Sequence, residues 1–145
     1  MKLSSKKSMS ILLMVLMLGS SITMGVSSLS QTEEKSSFPD DNVVDYVIDG
    51  TLRKSLISSG YTIIEYRYPA TCSNCTDKIS YIESAASSMP EQVFVQKIRD
   101  NSLSEPKLSM DSYYGSKNLD NPTVEQMFNA MCDILVSPPV VCVRN

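Results

Sequence analysis

Polar and apolar positions change their period several times along the 145 residues. Tyr61–Tyr68 is rich in β-branched and aromatic residues and predicts a strand. Gln92–Ile98 predicts a second strand, and Val140–Val143 a short, buried one. Val43–Ile48 reads as a strand, although Asp49-Gly50 behind it could equally close a helical turn. Helical spacing takes over between these runs. Leu52 and Leu56 share one side of Thr51–Ser59, with Gly60 as a natural stop. Ile79, Ile82, Ala85 and Ala86 recur at helical spacing until Met89-Pro90 ends the run. Val124, Met127, Phe128, Met131 and Leu135 form an apolar arc that Ser137-Pro138-Pro139 stops. Thr123 with Gln126 fits a capping box at its start. Asp100–Asn121 carries no sustained period. A structureless run that long is unusual inside a compact domain, so it is either a functional loop or hides an element.

Strands alternating with helices predict an α/β fold with a parallel or mixed sheet. Ahead of it, Met1–Lys7 is basic and Ser10–Leu18 is a short apolar run. Small residues follow from Gly19 to Ser30, with Gly25 and Ser28 as cleavage points. Residues 1–28 therefore read as a signal peptide or a membrane anchor. The apolar core is shorter than the ~20 residues of a comfortable span. Cleavage is the first reading, and a membrane tether through residues 8–26 the second. Both put the domain outside the cytosol, where disulfides persist. Residues 29–42 are polar and read as a flexible tether, leaving residues 43–145 as the folded domain.

Charge and composition then remove whole classes of chemistry. The chain has no histidine, so Ser-His-Asp triads, Cys-His dyads and His-ligated metals are out. The net charge is −3, from 13 basic and 16 acidic residues. Setting aside Lys2, Lys6 and Lys7 leaves 10 against 16, or −6. With no basic stripe and no tryptophan, nucleic acid is not an expected partner. Nothing in the chain calls for a cofactor. Of the nine methionines, Met9, Met14, Met17 and Met24 lie in or beside the N-terminal apolar run, and Met127 and Met131 read as core.

Chemistry concentrates instead in four cysteines. Cys72-Ser73-Asn74-Cys75 falls between the clearest strand and a helix. A thiolate at a helix N-terminus gains from free N–H groups and the positive dipole end, so its pKa falls. Cys72, ahead of the helix, would be the exposed nucleophile, and Cys75, in the first turn, the buried resolving thiol. Asn74-Cys75-Thr76 also matches a glycosylation sequon, which reads as chance overlap. Cys132 lies on the apolar arc of its helix and Cys142 in the last strand-like run. They are either small core residues or a second disulfide.

Strand, Pro69-Ala-Thr-Cys-Ser-Asn-Cys75, helix, strand, helix, then Ser137-Pro-Pro-Val-Val-Cys-Val143 resembles a thioredoxin-like domain over residues 43–145. The resemblance implies a central mixed sheet of about four strands with flanking helices. It also implies a cis-proline before a strand, packed against the cysteine pair. Pro139 matches that place, with Pro138 as the fallback. The family carries a buried acid under the second cysteine, and Glu65 is the candidate, one position upstream of the expected place. Departures are plain. The family's usual Trp before the first cysteine and Gly-Pro between the pair are Thr71 and Ser73-Asn74 here. Its last strand and last helix find no counterpart, which suggests a divergent member shortened at the C-terminus.

The resemblance implies a thiol–disulfide oxidoreductase whose partners are protein thiols or disulfides and a redox partner protein. Two alternatives stand beside it. One is a redox-inactive binding module with a structural Cys72–Cys75 bridge. The other is a thiolate metal site, for which the wider Cys132/Cys142 spacing is poor geometry.

Overall fold

The structure is a computed structural model and describes residues 38–144. Strands β1 (Val43–Val44), β2 (Thr62–Tyr68), β3 (Val93–Arg99), β4 (Lys107–Ser112) and β5 (Gly115–Asp120) form one sheet. Helices α1 (Gly50–Ser58), α2 (Cys75–Ser88) and α3 (Val124–Ile134) flank it. A 3-10 helix, Val140–Arg144, closes the described chain. The strand order is β1-β3-β2-β4-β5. β1, β3 and β2 run parallel, whereas β4 is antiparallel to β2 and to β5. This is the thioredoxin-like α/β arrangement expected above, with five strands instead of four.

β2 lies third of the five and is covered on both faces. Side chains alternate along a strand, so its two faces serve different ends. Ile63 faces α1 and joins Val44, Ile48, Leu56 and Phe94 in a small cluster. Ile64 and Tyr66 face the other way, into a larger core with Val93, Val95, Leu108, Met110 and the inner sides of α2 and α3. The same alternation puts Glu65 and Arg67 on the α1 side. That period-2 rule decides the site below.

The unassigned stretch holds the β4–β5 hairpin. β4 offers two apolar inward positions, Leu108 and Met110, with Ser109 between them. β5 is an edge strand in which only Leu119 packs on the core, and its polar exposure suits an edge. A pattern so thin in apolar residues is hard to see in sequence. The hairpin and α3 supply the last strand and last helix for which the resemblance found no counterpart in the sequence. The element actually absent is the helix that the resemblance places between the strand after the cysteines and the proline. Asp100–Pro106 crosses that gap as a short connection.

Two further expectations change. Val140–Val143 is not a buried strand; Val140, Val141 and Val143 are exposed on the 3-10 helix. Packing also reaches back into residues read as tether. Asn42 donates through Nδ2 to the Ala86 and Val93 carbonyls, and its own carbonyl accepts from Val95 N at 2.7 Å. Phe38 stacks on Tyr61 at 6.4 Å between ring centres. Residues 1–28, read as signal or anchor, lie outside the described residues. Among those described, no helix is long and apolar enough to cross a membrane.

At α3 the sequence signal for a cap is realised on both sides. Thr123 Oγ1 accepts from Gln126 N at 3.2 Å, and Thr123 N donates to Gln126 Oε1 at 2.9 Å. Thr123→Ala is expected to lower stability by about 1 kcal/mol, read as a lower denaturant midpoint at unchanged slope.

Candidate functional site

β2 ends at Tyr68, and Pro69 cannot extend the ladder because it lacks an N–H. Five residues after Pro69 comes Asn74, the N-cap of α2, and Cys75 is the first helical residue. Asn74 makes no side-chain capping bond, so the first-turn N–H groups are left facing the mouth of the helix. Cys72 and Cys75 meet there in a disulfide, with Cα atoms 5.5 Å apart. Cys72 is half-buried and flanked by exposed Thr71, Ser73 and Asn74, whereas Cys75 is only 3% exposed. An attacking thiolate therefore reaches the first sulfur and not the second.

Beneath the buried sulfur lies Tyr66, which is itself fully buried. Its hydroxyl donates to Cys75 Sγ at 3.2 Å. Tyr68 stacks beside it, with ring centres 5.8 Å apart. Burial above all, helped by the neighbouring Tyr68, pushes the Tyr66 hydroxyl up to about 12. It holds its proton through the physiological range.

Glu65 is not under the cysteines. It points to the opposite face of the sheet, accepting from Arg53 Nη1 at 3.1 Å and from Arg67 Nε at 2.6 Å. Asp111 completes this ionic group through Arg53. The resemblance placed Glu65 one position upstream of the expected acid. A one-residue displacement on a strand reverses the face. Tyr66 was missed because a tyrosine in a β-rich run reads as packing.

Pro139 is also displaced from its expected role. It lies beyond α3 and lines an apolar groove of about 340 Å³ with Cys132, Cys142, Tyr81, Ala85 and Met89. Those α2 residues start about two turns from Cys75 and run to the far end of the helix. No strand follows Pro139, and no cis peptide bond occurs among the described residues. The proline directly before a strand is Pro106. The Arg67–Lys107 pairing of β2 with β4 puts it level with Tyr68, at the end of β2 from which the cysteine loop leaves. Pro106 is buried, and its carbonyl accepts from Asn121 N at 2.7 Å. Asn121, in the left-handed region at φ 43°, in turn accepts from Lys78 Nζ at 3.0 Å. This chain of contacts ties the first turns of α2 to the start of β4 and the end of β5. The available signal is that Glu105-Pro106 stands just ahead of Leu108 and Met110, which alternate with polar residues as a strand requires.

Cys132 and Cys142 form a second disulfide, with Cα atoms 5.4 Å apart. It ties the C-terminal 3-10 helix to α3. Core packing, the first reading from sequence, is not the outcome. The four sulfurs are thus divided between two separate bridges, and no group of three or more ligating side chains gathers among the described residues. The four-thiolate site considered from sequence is not assembled.

No protein-family model matches the chain. No curated protein matches its sequence. Solved structures with a similar course of the chain include chloroplastic thioredoxin z, at 19% identity and a TM-score of 0.43, covering 58% of this chain and 87% of that one. Another is oxidised thioredoxin O2 from Arabidopsis thaliana, at 16% identity and a TM-score of 0.48, covering 66% of this chain and 96% of that one.

Proposed function

We propose that the protein is a thiol–disulfide oxidoreductase that acts on protein thiols or disulfides outside the cytosol. The observation that carries this reading is the asymmetry of the Cys72–Cys75 bridge. One sulfur is reachable at an uncapped helix mouth, and the other is buried above a hydroxyl donor. A substrate thiolate attacks Cys72 Sγ, the Cys72–Cys75 bond breaks, and Cys75 leaves as a thiolate. A second substrate thiolate then attacks the substrate sulfur and releases Cys72. Two electrons pass to the protein, and the substrate dithiol becomes a disulfide. The reverse sequence reduces a substrate, with Cys72 as nucleophile and Cys75 as resolving thiol.

An extracytoplasmic location rests on the basic and apolar N-terminal segment, read as a signal peptide or as an anchor through residues 8–26. The second bridge, Cys132–Cys142, suits an oxidising compartment.

Cys75→Ser tests the reading. Without a resolving thiol, mixed disulfides through Cys72 should accumulate on a non-reducing gel of cells expressing the variant, and disappear on reduction. A gel with no trapped species, together with a lowered melting temperature, would favour the binding module with a structural bridge.

A further inference from the structure

We propose that Tyr66 is a positioning residue for this exchange, its hydroxyl holding the Cys75 sulfur and donating to the thiolate that departs when the bridge opens. The inference rests on the oxidoreductase reading for its consequence, but not for its geometry.

Three observations support it. Tyr66 Oη lies 3.2 Å from Cys75 Sγ, and both side chains are buried, so water does not compete for the contact. The stacked Tyr68 ring and the surrounding core fix the phenol in place. Burial also keeps the phenol protonated, so it acts as a donor in both redox states.

The two redox states differ in what they offer that donor. A bridged sulfur is a weak acceptor, whereas a thiolate is a full negative charge in a low-dielectric site. The hydrogen bond therefore strengthens as the bridge opens, and it stabilises the reduced form over the disulfide. Other ionisable groups near Cys75 do not replace it. Tyr68 flanks Tyr66 on β2, Asp77 is exposed in the first turn of α2, and Lys78 is committed to Asn121. Glu65 faces away. Cys75 is thus expected to leave readily as a thiolate, and the bridge to be a better oxidant than its burial alone would make it.

The test uses the full chain carrying Tyr66→Phe, which removes one oxygen and keeps the ring. Equilibration with a glutathione redox buffer should show the disulfide favoured about tenfold more than in the wild type, about 30 mV more negative. The Cys75 thiol, titrated by thiolate absorbance in Cys72→Ser with and without Tyr66→Phe, should ionise at higher pH in the double variant. Placing 3-fluorotyrosine at position 66, a stronger donor of nearly the same shape, should move both readouts the opposite way. It also serves if the phenylalanine variant fails to fold. A redox equilibrium and a Cys75 titration that stay within about twofold of the wild type in either protein would overturn the proposal. Exchange by the wild-type protein would still uphold the wider reading in that case. Conversely, a shifted titration in a chain that exchanges no thiols would uphold the contact and sink the oxidoreductase.

Discussion

Cys72→Ser should reduce thiol–disulfide exchange to the uncatalysed background while leaving the protein folded. Serine cannot form the mixed disulfide, and Cys75, at 3% exposure, cannot take over as nucleophile. The accompanying loss of stability should be modest. The bridge closes a loop of only four residues, for which chain entropy gives about 2 kcal/mol. The measurement is reduction of a model protein disulfide driven by dithiothreitol, beside thermal unfolding of both proteins. A variant that keeps more than about one hundredth of the wild-type rate would remove Cys72 from the chemistry. A wild-type protein with no activity to lose, and a variant whose main change is its melting temperature, would return the bridge to a structural role.

The largest stability effect is expected on the other face of the sheet. Phe94 is 2% exposed and packs with Val44, Ile48, Leu56 and Ile63 beneath α1. This cluster is small, so little can collapse into the space left by a ring. Phe94→Ala should cost about 3–5 kcal/mol. For a domain of this size that lowers the melting temperature by about 12 °C or more. The cysteine pair lies across the sheet, in the other cluster. Below the transition, the reaction rate of Cys72 in the reduced variant should therefore match that of the wild type. Equal loss of stability and thiol reactivity at low temperature would show that the two faces are coupled, contrary to the packing.

The elements that sequence reading recovered are those in which one local rule dominates. β2 and β3 are dense in β-branched and aromatic residues, because they are covered on both faces. α2 and α3 carry apolar positions at helical spacing, with Met89-Pro90 and Thr123/Gln126 marking an end and a start. The Cys-x-x-Cys pair was legible for the same reason, since strand, proline, cysteines and helix follow one another without interruption. The β4–β5 hairpin was not, because a polar edge strand needs almost no apolar residue. Val140–Val143 misled in the opposite direction, for an apolar run does not say whether anything will cover it.

From sequence alone came the α/β class, the cysteine pair at a helix start, and the absence of histidine chemistry. The tertiary structure decided which groups meet that pair. The face on which a β2 side chain lies is set by register, so Tyr66 reaches Cys75 while Glu65, one residue away, pairs with arginines across the sheet. The proline beside the site is fixed by strand pairing, which chose Pro106 over Pro139. The Cys132–Cys142 bridge needs two Cα atoms 5.4 Å apart, a distance that depends on how the chain turns after α3. Each of these is a relation between segments distant in sequence, and local composition carries no record of it.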